Sequence, residues 1–111
     1  MAYDQELAGR IRRLIANAPD LTEKKMFGGL AFLISGNMAI AASNQGGVMV
    51  RVDPQQSDAL VATTTASLVE MRGRPMPGWL HVSSDDLLSD DRLNPWVERG
   101  TGYARCLPPK Q

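Results

Sequence analysis

The sequence predicts an α+β domain with a five-stranded antiparallel sheet and helices on one face, in the order α-β-β-β-α-β-β-α. Short apolar runs separated by Gly, Ser and Asn turns indicate consecutive antiparallel strands. Longer segments with apolar residues three and four positions apart, bounded by proline, indicate helices. The 111 residues, of which 43% are hydrophobic and 22% charged, are typical of a single folded domain, and we assign one domain to residues 1–111.

The first half of the chain predicts one helix and three strands. In YDQELAGRIRRLIANAPD, Leu7, Ile11 and Leu14 share one helical face, with Asp4 as N-cap and Pro19 as the stop. GGLAFLISG, NMAIAAS and GGVMVRV predict a three-stranded meander. The preceding TEKKMFGG is predicted to be a turn into the sheet, with Met and Phe buried and the two glycines allowing a bend or a close approach.

The second half predicts two helices around two strands. Asp53 followed by Pro54 is a typical helix start. ASLVEMRGRPMPGWLHVS predicts two strands, joined by a loop at residues 73–78 because proline cannot donate to a strand ladder. The start of the last helix is ambiguous: Asp90 or Asp91 could cap it, but Asn94 followed by Pro95 matches the cap-then-proline pattern better. Gly100 and Gly102 weaken that helix unless another segment packs closely against it.

Chemically reactive residues are few. The chain has one histidine and one cysteine, which cannot supply a zinc site and lack the local context of a Cys–His pair. The lysines precede the glycines in TEKKMFGG, so this stretch does not match a phosphate-binding loop, and SDDLLSDDRLNP lacks the ligand register of a calcium loop. We therefore expect no catalytic, cofactor-binding or metal-binding residues, with His81 half-exposed on a strand and Cys106 a half-buried, inert thiol.

A cytoplasmic protein is expected from the single cysteine, the polar N-terminus and the lack of a long apolar stretch, and we expect no membrane contact. The 12 basic and 12 acidic side chains cancel, which disfavours a dedicated nucleic-acid binder.

A candidate interaction surface follows from the two-residue period of the strands. If Leu80 and Val82 face the core, Trp79, His81, Met49 and Arg51 face the opposite side of the sheet, where Leu68, Glu70 and Arg72 are also expected. Trp, Met and Arg are enriched at interaction surfaces. The predicted surface, bordered by basic side chains from the strand ends, comprises Lys24, Lys25, Arg51, Arg72, Arg74 and Trp79.

Four segments in order, TEKKMFGGLAFLISGNMAIAAS, VMVRVDP, GRPMPGWLHV and WVERGTGYARCLPPK, resemble the TfoX N-terminal-domain family over essentially the whole chain. Its best-known members are bacterial regulators of natural competence, thought to assist the cAMP receptor protein at competence promoters. Those regulators have a second, C-terminal domain, and we expect none here because these 111 residues are filled by one domain. The resemblance therefore implies the fold and a loose regulatory association in a single-domain member, and it brings no established catalytic residues.

Three functions remain open at this stage. The leading one is a small non-enzymatic module that contacts a protein, with the transcription machinery and a second copy of the chain as candidate partners. The second is direct nucleic-acid binding through the basic residues of the candidate surface. The third is a small-ligand sensor whose pocket lies between the sheet and the last helix and is lined by Trp96, Tyr103 and methionines.

Overall fold

The computed structural model describes residues 3–16, 18, 20–26, 28–44, 46–71 and 73–108, without the side chains of Met26 and Met71. Three helices and six strands occur in these residues. In chain order they are α1 (Gln5–Leu14), β1 (Leu21–Met26), β2 (Gly29–Ile34), β3 (Asn37–Ala42), β4 (Val48–Arg51), α2 (Pro54–Thr63), β5 (Ser67–Met71), β6 (Arg74–Val82) and α3 (Asp90–Cys106), with a 3₁₀ turn at Ser84–Asp86 before α3.

The strands form one antiparallel sheet in the order β1-β2-β3-β4-β6-β5. The α+β class is confirmed, but the predicted count of five strands is wrong because β1 is a sixth. Its sequence, LTEKKM, includes most of the stretch predicted to be a turn. This strand lies at the sheet edge with Thr22 to Lys25 exposed, so it lacks the apolar alternation that identifies a half-buried strand.

Strand β6 also corrects a prediction, because it runs through the region 73–78 that was predicted to be a loop. Its partner β4 pairs only with Trp79–Val82. On the other side, the register with β5 shifts between Leu68, opposite Leu80, and Glu70, opposite Pro75. Proline is tolerated where a strand is bulged or has a free edge, and this part of β6 meets that condition.

Helix α3 begins at Asp90, five residues before Pro95, the predicted first helical residue. Ser89 is the residue before the helix, Asp90 and Asp91 occupy the first turn, and Pro95 lies inside it. Carboxylates in the first turn are stabilised by the positive end of the helix dipole. The Arg10 Nε donates to Asp90 Oδ1 at 3.0 Å, which joins α1 to this first turn.

The cap prediction for α1 is confirmed, since Asp4 Oδ1 accepts from the amides of Glu6 and Leu7.

The main core lies between the sheet and the helices, as predicted. It combines side chains from all three helices with one side of the sheet, including Leu7 and Ile11 of α1, Leu60 and Val61 of α2, Leu93 and Val97 of α3, and Phe32, Ile40, Val50 and Leu80 of the strands. Asp53 caps α2 by accepting from the Gln55 amide at 2.9 Å, in agreement with the predicted Asp-Pro start.

Gly100 permits the close packing of α3 on the sheet that the two helical glycines predicted. A methyl group at Gly100 would lie 2.3 Å from the carbonyl oxygen of Ala39 on β3. At Gly102 such a group would have no neighbour within 4 Å. The two glycines therefore have different roles: Gly100 is required by contact, while Gly102 only lowers helix propensity.

We expect Gly100→Ala to destabilise the fold by about 1–3 kcal/mol, because overpacking forces the helix away from β3. Gly102→Ala, the matched control, should stabilise it by about 0.5–1 kcal/mol through helix propensity. Urea unfolding of both variants measures the difference. Equal stability of the two variants would show that α3 does not approach β3 this closely.

Candidate interaction surface on the sheet

The strand register divides the sheet into two faces. Antiparallel partners point to the same side, and the row Phe32, Ile40, Val50 and Leu80 points towards the helices. The opposite side, called the second face below, carries Lys24, Ala31, Leu33, Met38, Ala41, Met49, Arg51, Trp79 and His81. Met49, Arg51, Trp79 and His81 therefore lie on one side of the sheet, as the two-residue period predicted.

The second face has its own apolar cluster. Ala31, Met38 and Ala41 are buried, and the half-buried side chains of Leu33, Met49 and Trp79 pack against them. All six residues come from β2, β3, β4 and β6, and none comes from a helix. The three larger side chains shield the small ones and keep part of their own apolar surface in contact with solvent. We call these six residues the second-face cluster.

Arg51 is held between two aromatic rings beside this cluster. Its guanidinium carbon lies 5.2 Å from the ring centroid of Trp79, its cross-strand partner, and 5.8 Å from that of Tyr103 on α3. Both distances are in the range of cation–π attraction. Sequence reasoning placed Tyr103 in a ligand pocket instead, because no spacing within α3 indicates a contact with β4.

His81 has a structural role on the second face. The residue is half-exposed, as predicted, and its Nε2 lies 2.8 Å from the Gly46 carbonyl oxygen in the loop before β4. A carbonyl oxygen can only accept a hydrogen bond, so Nε2 carries the proton and is the donor to the Gly46 carbonyl. The imidazole thereby fixes the loop that leads into β4.

The basic residues of the candidate surface do not form one patch. Lys24 lies on the second face, whereas Lys25 pairs with Leu30 and points to the helix side. Lys24 lies on β1 and Arg51 on β4, so three strand spacings separate the two strands. At about 4.8 Å per spacing, this distance is about 14 Å. Arg74 is exposed at the β5–β6 turn, next to the opposite sheet edge, and Arg72 lies outside the described residues.

Leu68 corrects a further detail of the predicted surface. It pairs with Leu80 and packs against the main core, so its predicted position on the second face is wrong. Among the candidate residues that the structure describes, only Arg51 and Trp79 contact each other.

Glu23 on β1 is bound by a helix side chain. The Arg12 Nε donates to Glu23 Oε2 at 2.7 Å, and Arg12 Nη2 donates to Oε1 at 2.8 Å. This bidentate hydrogen bond, with the attraction between the opposite charges, holds the pKa of the Glu23 carboxyl below its usual range. The acidic side chain between Thr22 and Lys24 is thus neutralised locally by α1.

A cavity of about 290 Å³ lies between α1 and α3. Its lining includes Leu14, Ile15, Val97, Glu98 and Arg105. Neither Trp96 nor Tyr103 lines this cavity, so it is not the pocket of the sensor hypothesis. Cys106 is exposed at the end of α3, which corrects the prediction of a half-buried thiol.

Neither a metal-binding cluster nor a membrane-spanning helix occurs in the described part of the chain. Among these residues, no group of three or more His, Cys, Asp or Glu side chains is placed to hold a metal ion. None of the helices in the same residues is long and apolar enough to cross a membrane.

The family model for the TfoX N-terminal domain matches residues 13–104, which extend from the end of α1 to the last turns of α3. The chain therefore belongs to the TfoX N-terminal-domain family, as the sequence motifs indicated. No curated protein matches the chain.

We expect Arg12→Gln to raise the pKa of Glu23 towards that of a free glutamate. Folding lowers this pKa, so the ion pair stabilises the fold above the unfolded-state pKa, and the stabilisation is lost as pH falls through the lowered value. An NMR titration of the Glu23 carboxyl carbon measures the shift, with the neighbouring Arg13→Gln as control. An unchanged Glu23 titration in Arg12→Gln would refute the pairing.

Proposed function

We propose that this chain is a small non-enzymatic regulatory module that acts by contacting another protein through the second face of its sheet, as a transcriptional accessory factor. The observation that carries the proposal is the second-face cluster. It is apolar and built from strand residues alone, with the half-buried Leu33, Met49 and Trp79 at its surface.

The chemistry of this face suits protein recognition. Tryptophan and arginine are the residue types over-represented among side chains that dominate binding energies, and methionine adapts to irregular partner surfaces. The Trp79 and Tyr103 rings restrain Arg51, so less side-chain entropy is lost when its donors bind a partner. Small buried alanines beneath Met49 and Trp79 give a rigid base, since Ala31 and Ala41 lie in central strands.

Family membership supports a regulatory role, because the TfoX N-terminal-domain family is not a known enzyme family and its best-known members are regulators. The proposed absence of catalysis is also consistent with His81, whose ring is engaged with the Gly46 carbonyl. Direct nucleic-acid binding has weaker support from the geometry, because Lys24, Lys25 and Arg74 are distributed over two faces and two edges of the sheet.

The proposal predicts that Met49→Glu and Trp79→Ala remove a protein partner that the unchanged chain retains. A hot-spot side chain contributes about 2 kcal/mol or more, so we expect at least about 30-fold weaker binding. The measurement is an affinity pull-down of the tagged chain from extract of its natural source, with and without nuclease treatment, followed by mass spectrometry and by titration of the purified partner.

Leu88→Glu is the matched control, because Leu88 is 78% exposed and lies outside the second-face cluster. Circular dichroism melts of each variant confirm that the fold is intact. Size-exclusion chromatography with light scattering shows whether the partner is a second copy. Equal retention by Met49→Glu and Leu88→Glu would contradict the proposed surface, and complete loss of bound material after nuclease treatment would favour direct nucleic-acid binding.

A further inference from the structure

Strand β1 forms an open edge of the sheet. Within the described residues it has β2 on one side and no strand on the other, and β2 is the one element against which it packs extensively. The opposite edge differs, because β5 also packs against α2 and pairs irregularly with β6. We infer that the β1 edge binds an extended acidic segment of a partner protein, which adds to the sheet as a seventh strand.

The register determines which backbone groups face this edge. The Ser35 amide donates to the Asp20 carbonyl at 3.0 Å, at the position where the β1–β2 register continues beyond Leu21. Hydrogen-bonded and non-hydrogen-bonded pairs alternate in an antiparallel ladder. Thr22, Lys24 and Met26 therefore bond to β2, and the N–H and C=O groups of Leu21, Glu23 and Lys25 point to the open edge.

The charges of Lys24 and Lys25 favour an acidic partner strand. Lys24 and Lys25 are consecutive and exposed on opposite faces. Glu23, which lies beside them, is neutralised by Arg12. In an added strand, consecutive residues also alternate between faces. Two adjacent acidic residues in the partner therefore meet both lysines, one on each side of the sheet.

The same charges disfavour other strands. Lysines on an edge repel basic strands and are a common protection against unwanted edge pairing. A symmetric pairing of two copies centred on Lys24 would place the two Lys24 side chains directly opposite each other, which is destabilising. The lysines of TEKKMFGG thereby gain a function. Strand β1 contributes no residue to the second-face cluster, so each of the two proposed contacts can fail without the other.

The test is an NMR titration of the ¹⁵N-labelled chain with the end-blocked peptide TVEEVT, and with TVKKVT as the matched basic control. We expect TVEEVT to shift and protect the amides of Glu23 and Lys25 more than those of Thr22 and Lys24, since the former face the edge. Lys24→Glu with Lys25→Glu should weaken TVEEVT binding on the order of tenfold or more and improve binding of TVKKVT.

A second pair of variants separates strand addition from simple charge attraction. Lys25→Pro removes an outward N–H without breaking the ladder to β2, because proline is tolerated on an edge strand when its nitrogen faces outward. Lys25→Ala removes the same charge and keeps the N–H. We expect Lys25→Pro to bind TVEEVT at least several-fold more weakly than Lys25→Ala, with the amide spectrum of β2 to β6 unchanged in both.

Two peptide results would overturn the inference: equal affinity for the acidic and basic peptides, and no spectral change with TVEEVT up to millimolar concentration. Equal binding of TVEEVT by Lys25→Pro and Lys25→Ala would also overturn it. So would displacement of TVEEVT by a second copy of the chain at micromolar concentration. Binding of a short DNA duplex at the same amides, abolished by moderate salt and indifferent to Lys25→Pro, would likewise assign the edge to nucleic acid.

Discussion

The hydrogen-bonded register of the antiparallel sheet is the constraint on which the rest of this structure depends. Because paired residues share a face, a single register places Phe32, Ile40, Val50 and Leu80 under the helices. A shift of one residue would exchange the faces and expose this row. Gly100 then allows α3 to rest against the backbone of β3 at Ala39. The helices complete one core, and the apolar cluster on the other side of the sheet is built from strand residues alone.

Both proposed contact surfaces are consequences of that register. On the second face it places Arg51 opposite Trp79, and α3 brings Tyr103 to the same guanidinium. At the edge it sends Lys24 and Lys25 to opposite sides and turns the backbone groups of Lys25 outward. A single basic patch, which would suit a phosphate backbone, therefore does not form from these residues, whereas an apolar face and a basic strand edge do.

The sequence was informative where local physics dominates. Apolar spacing and caps predicted the three helices, and the alternating runs predicted β2 to β4 and the side of the sheet on which Met49 and Trp79 lie. It was uninformative where the outcome depends on distant partners. The polar LTEKKM forms a strand because β2 supplies the pairing, and β6 tolerates Pro75 because its neighbour β4 ends before that point. The Arg51–Tyr103 contact joins two elements whose packing no local pattern reports.

Hydrogen exchange of the β1 amides tests the register most directly, because each amide faces either β2 or the open edge. The structure predicts strong protection at Lys24, whose amide bonds to Ala31, and little protection at Glu23 and Lys25. The reverse pattern would mean a register shifted by one residue, and the faces would be exchanged. Equal, strong protection at all three positions in the isolated chain would mean that the edge is already covered, and both the open edge and the docking strand would be refuted.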